Sequence, residues 1–211
     1  MITETILNQA RQRATQIYNI LQPYCKSIYL GGSYTQDYIE HPHDIDFICF
    51  ASNELDRLKM QIKLNMYKSR HKNEFQEDED WIQTRRIDKE EHSYGSYIHK
   101  DMILLAGNPV TFTFDPIGND RAEYIKILKK YSHMDMKLKR YYQLYRGYLL
   151  AFKKSYDLTD EEKIKLNILH DAQTEEDLIR KIPIESDDEE QQYNEVHIFV
   201  ADINLAIWGL R

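Results

Sequence analysis

Ile6, Ala10, Ile17 and Leu21 recur at near-helical spacing up to Pro23, which predicts an opening amphipathic helix. A strand over Ser27 to Leu30 follows and is ended by Gly31-Gly32. The run Asp44-Ile45-Asp46-Phe47-Ile48-Cys49-Phe50 reads as a second strand, with Ile45, Ile48 and Phe50 on buried positions and two acids on alternate ones. Ser52 and Asn53 are good N-cap residues, and Leu55, Leu58, Ile62 and Met66 are expected to form the buried stripe of a second helix. The order so far is helix, strand, turn, strand, helix.

The stretch from His71 to His92 is strongly charged, anchored only by Trp81, Ile82 and Ile87, and is read as surface structure around one strand. Ile98, Met102 and Leu105 suggest a helix stopped by Gly107-Asn108-Pro109. Val110, Phe112 and Phe114 then alternate with Thr111, Thr113 and Asp115 in the pattern of a half-buried strand. From Ala122 onward the pattern is helical. Val196, Phe199, Val200, Ile203, Ile207 and Leu210 mark a final amphipathic helix after the acidic run Glu185 to Glu190, a solvated loop.

A length of 211 residues suits one large domain, or a small core with an appendage. The 35 acidic residues outnumber the 28 basic ones, which argues against a protein held to DNA or to an anionic membrane by its overall field. Any nucleic-acid contact must be local. Cys25 and Cys49 have no metal-ligand spacing and no partners for a disulfide framework, so a reduced, cytoplasmic setting is the default expectation. No charged-then-apolar leader pattern is visible, and no apolar stretch approaches the ~20 residues of a membrane span. A soluble protein is expected, with no membrane partner.

The candidate chemistry lies in Gly31-Gly32-Ser33 and, ten residues beyond Ser33, in Asp44 and Asp46. Glycine lets the backbone approach a ligand closely, and exposed amides with a serine hydroxyl can bond phosphate oxygens. On a strand Asp44 and Asp46 share one face, roughly 6 to 7 Å apart, close enough for both to ligate magnesium. Two such carboxylates repel each other and resist desolvation unless solvent or a cation compensates. A plain turn and a solvated strand edge are the bland alternatives.

Gly32-Ser33, the ten-residue interval and Asp44-Ile45-Asp46 resemble the motif of the DNA polymerase beta type nucleotidyltransferase superfamily. The order of helix, strand, Gly-Ser turn and Asp-x-Asp strand agrees with it. More loosely, Tyr97 to Phe114 looks like the corresponding stretch of the RlaP-like branch of predicted nucleotidyltransferases. The specific motif covers Leu30 to Phe50. The resemblance implies an α+β nucleotidyltransferase core with a small mixed β-sheet packed on helices, over residues 1–118, followed by a helical lobe over 119–211. It further implies magnesium-dependent transfer of a nucleoside monophosphate from a nucleoside triphosphate to an acceptor hydroxyl, with release of pyrophosphate. Asp44 and Asp46 would hold Mg2+, while Gly31, Gly32 and Ser33 would grip the phosphates. The acceptor stays open between RNA, a protein side chain and a small molecule. A catalytically silent nucleotide- or protein-binding regulator on the same fold is the alternative.

Such sites are usually completed by a third carboxylate. Asp115 shares the polar face of its expected strand with Thr111 and Thr113, whereas Asp88 lies nearer the region where the resemblance places a third acid, with Glu91 as an alternative. A local basic stretch, with Lys139 and Arg146 on one helix face among Tyr141, Tyr142, Tyr145 and Tyr148, is a second candidate nucleotide contact or simply a solvated face. His41 and His43 flank Pro42 just before the first aspartate, where a turn explains them equally well, and His170-Asp171 has no third partner at catalytic or metal spacing.

Overall fold

The computed structural model describes residues 2–70, 80–88, 102–113, 116–131, 137–153, 157–182 and 188–208. The architecture is α+β, with a small mixed four-stranded sheet and, among the described residues, seven α-helices. The chain divides into two compact units, Met1–Asn119 and Asp120–Arg211.

In the first unit α1 (Glu4–Leu21) begins at Thr3, whose side chain accepts from the Ile6 N–H, with Glu4 in the positive first turn. It feeds β1 (Cys25–Gly31), a short 3-10 turn (Gly32–Thr35) and β2 (Ile45–Ala51). Helix α2 (Glu54–Arg70) leads to β3 (Asp80–Arg86), and β4 (Ile103–Gly107) closes the sheet. Strand order is β3-β2-β1-β4, with β1 antiparallel to β2 and β4, and β3 parallel to β2.

One sheet face is the core. Cys25, Ile28, Phe47, Cys49 and Ala51 pack with Ala10, Ala14, Ile17 and Leu21 of α1 and with Met60 and Leu64 of α2. Cys25 and Ile28 share this side although three residues apart, because a bulge between Cys25 and Ser27 resets the alternation and leaves Lys26 exposed. On the other face the Phe50 ring meets Tyr29 and Phe112 edge-on, each at 5.7 Å between centroids. The Val110 N–H donates to the Tyr29 hydroxyl at 2.8 Å, tying the segment after β4 to the same face.

Three expectations are corrected. The stripe Leu55, Leu58, Ile62 and Met66 is exposed, and α2 instead buries Met60 and Leu64. At 3.6 residues per turn these two sets lie on opposite sides of the helix. Helix α2 is apolar on both, and periodicity alone does not say which side meets a sheet. Of the expected helix from Ile98 to Leu105, residues 98–101 lie outside the described residues and Ile103 to Leu105 belong to β4, since Ile103-Leu104-Leu105-Ala106 is a short unbroken apolar run that suits either period and the edge of β1 was available to pair. Of the expected strand Val110 to Phe114, residues 110–113 form no strand, and Phe112 serves as a ring packed on Phe50.

The second unit holds most of α3 (Pro116–Tyr131), α4 (Leu138–Phe152), α5 (Asp160–Asp171), α6 (Glu175–Lys181) and α7 (Glu189–Trp208). Thr159 with Glu162 and Thr174 with Asp177 form capping boxes that start α5 and α6. Tyr124, Leu128, Leu144, Tyr145, Leu149, Leu166, Leu178, Val196 and Ile203 are buried. The Tyr124 hydroxyl donates to the Leu144 carbonyl, and Lys153 at the end of α4 pairs with Glu162 of α5.

Helices α3 and α4 approach so closely that Gly147 leaves no room for a side chain: a Cβ there would lie 2.7 Å from the Tyr124 hydroxyl oxygen and 2.8 Å from Cζ. Gly147→Ala is expected to destabilise the protein by about 1–3 kcal/mol through overpacking, despite the better helix propensity of alanine. Urea unfolding followed by circular dichroism measures this, and an unchanged or raised midpoint would show that the contact yields.

Candidate functional site

The site grows out of the β1–β2 ladder. The antiparallel register sets Leu30 opposite Phe47 and Gly31 opposite Asp46, so the last residue of β1 and the second of β2 face each other at one end of the sheet. Asp44 stands immediately before Ile45, the first residue of β2. Both aspartates are half-buried.

Past Gly31 the chain reverses through Gly32, whose φ of +68° belongs to the left-handed region that L side chains rarely adopt. Gly32 lies against the Asp46 carboxylate: an added Cβ would overlap Oδ2 and come within 2.6 Å of Cγ. The backbone thus approaches the carboxylate as only a glycine permits. The 3-10 turn behind it is held by the Thr35 hydroxyl donating to the Gly32 carbonyl at 3.0 Å and by the Gln36 N–H donating to the Ser33 carbonyl at 3.2 Å. Gln36 is itself buried and accepts the Tyr38 hydroxyl at 2.8 Å.

Ser33 is buried, and among the described residues its Oγ has no hydrogen-bond partner. A buried hydroxyl ordinarily finds one, and a ligand oxygen or a water molecule would supply it here. The donor set suits a hard cation as well, since carboxylate oxygens are the ligands magnesium prefers.

Asp88 follows the far end of β3. Because β3 runs parallel to β2 with Trp81 beside Asp46 and Arg86 beside Ala51, Asp88 lies roughly 20 Å along the sheet from Asp46. Its carboxylate takes two bonds from Arg86, at 2.8 and 3.0 Å, and Arg86 also reaches Glu54 at 3.3 Å. These carboxylates raise the Arg86 pKa, the Asp88 hydrogen bonds most of all, and Asp88 is beyond reach of a cation held by Asp46. Asp115 and Glu91 fall outside the described residues.

Lys139 and Arg146 belong to α4 of the second unit, Lys139 exposed and Arg146 half-buried. The tyrosines around them serve that unit's interior. Tyr142 tilts against His170 with ring centroids 4.8 Å apart, Tyr148 tilts against Phe152, and Tyr145 is buried, its phenol pushed up by burial and then by the nearby Glu162 and Glu161 carboxylates. Gln36 was missed by sequence reasoning, and no periodic signal marks a single buried amide within a turn.

Gly32→Ala is expected to cost at least about 1 kcal/mol from the left-handed backbone alone, before the overlap with Asp46 is counted. Differential scanning calorimetry would register a lower melting temperature, whereas an unchanged one would mean that the turn relaxes away from the carboxylate. No helix among the described residues is long and apolar enough to cross a membrane. No family model matches the chain, and no curated protein matches it.

Proposed function

We propose that the Gly31-Gly32-Ser33 turn and the Asp44/Asp46 pair bind a magnesium-bound nucleoside triphosphate, and that the protein is a nucleotidyltransferase moving a nucleoside monophosphate to an acceptor hydroxyl. The observation that carries this reading is the contact of Gly32 with the Asp46 carboxylate, with Ser33 next in the chain and its buried hydroxyl unpaired among the described residues. It brings a backbone able to cradle phosphate and a carboxylate able to hold a cation to one end of one sheet.

Magnesium held by Asp44 and Asp46 would supply neutralisation of phosphate charge and polarisation of the acceptor oxygen. The chain's own part is positional. The left-handed Gly32 lets the turn lie directly against the Asp46 carboxylate, and Ser33 offers a hydroxyl donor to a phosphate oxygen. Helices α1 and α2 back the sheet from its other face, so the end of the ladder is held on rigid elements.

A second reading, nucleotide binding without transfer, is favoured by the position of Asp88, which pairs with Arg86 at the far end of β3 from Asp46. The two readings differ in one product. Incubation with each labelled nucleoside triphosphate, magnesium and a panel of RNA, protein and small-molecule acceptors is expected to release pyrophosphate. Asp44→Asn and Asp46→Asn should each lower that release by at least about 100-fold. Full turnover in both variants would remove the transfer reading. Calorimetric binding of triphosphate with no pyrophosphate release from any acceptor would leave the binding-only reading in its place.

A further inference from the structure

The exposed stripe on α2 belongs to neither the candidate site nor the core. Leu55, Leu58, Ile62 and Met66 are 60, 42, 59 and 47% exposed, on the side of the helix opposite Met60 and Leu64. Their spacing of three, four and four residues makes one continuous apolar seam over nearly the whole helix, the pattern of a helix that packs against another helix. Exposed large apolar residues scattered singly need no explanation, but a contiguous seam of four does. The polar flanks do not cover it. Lys59 and Lys63 turn toward the Tyr24 ring, 4.9 and 5.1 Å from its centroid, and Arg57 is held by Glu54 at 2.6 Å.

We propose that α2 is the interface of a two-fold dimer, in which this seam packs antiparallel against the seam of a second copy of the chain. Two features select that occupant. The seam is nearly symmetric about a point between Met60 and Gln61, so reversal sets Leu55 against Met66 of the second copy and Leu58 against Ile62, matching side chains of similar size. The helix ends are opposite in sign, with Asp56 beside the internally paired Glu54 in the first turn and Lys68 and Arg70 in the last. Antiparallel pairing across a two-fold axis brings acid to base at both ends, whereas a parallel pair would set like charges together.

A single-helix contact falls at the small end of specific interfaces, so the dimer forms in a concentration-dependent equilibrium. The seam is on the outer side of a helix whose inner side backs the sheet, and the Gly32–Asp46 end does not depend on it.

Sedimentation velocity of the full chain over a concentration series is expected to show a mass rising from 25.3 kDa toward twice that value. Ile62→Glu should stay monomeric at every concentration with an unchanged circular dichroism melting curve, since the side chain is exposed in the single chain. Leu55→Cys and Met66→Cys chains, mixed under mild oxidation, should cross-link to each other and not to themselves. Monomer at all concentrations overturns the proposal and leaves the seam to a different protein. A dimer that survives Ile62→Glu, or one in which Leu55→Cys cross-links to itself, overturns the α2 seam or its antiparallel arrangement respectively.

Discussion

The approach of Gly32 to the Asp46 carboxylate is the constraint on which the functional reading rests. It follows from two local facts, an antiparallel register that sets Gly31 opposite Asp46 and a left-handed residue at the next position. Neither tolerates a side chain at residue 32, because backbone conformation and space both exclude it. The half-buried Asp46 carboxylate lies directly against this peptide turn, with the buried Ser33 next in the chain. The close approach that only glycine permits is the physical reason to propose a binding site at the end of the ladder.

The rest of the first unit makes this contact rigid. Helices α1 and α2 cover one face of the sheet with an apolar layer from Ala10 to Leu64, and Phe50, Tyr29 and Phe112 interlock on the other. β3 extends the sheet in parallel beyond β2, so polar groups at its end, Arg86 and Asp88 with Glu54, form an ion-paired cluster at the opposite end from Asp46. The sheet therefore separates two charged regions by its own length, the proposed binding site at one end and an ion-paired cluster at the other.

Much of this was legible in the sequence, for identifiable reasons. The opening helix showed in the spacing of Ile6, Ala10, Ile17 and Leu21, and the first two strands in apolar runs bounded by glycine and acid. An α+β chain follows from that order, whereas the small mixed sheet was implied by the resemblance. The ten residues between Ser33 and Asp44 allow the chain to turn back, which made the proximity of Gly32 and Asp46 readable, though not the chemistry done there. Helix α2 was read on the wrong side because it is apolar on two sides, and burial is decided by the sheet it meets. Strand β4 was read as a helix because five residues carry too few turns of either period. The place of Asp88 depended on β3 running parallel to β2, which no local pattern records.

The claim that the Gly32-Ser33 turn and Asp46 form one polyphosphate pocket is tested most directly by nuclear magnetic resonance of the nitrogen-labelled chain titrated with magnesium and a non-hydrolysable nucleoside triphosphate. The account predicts that the largest shifts in the first unit fall on the amides of Gly32, Ser33 and Asp46. Saturable shifts that leave these three amides in place and fall elsewhere, or no shifts at all, would contradict it.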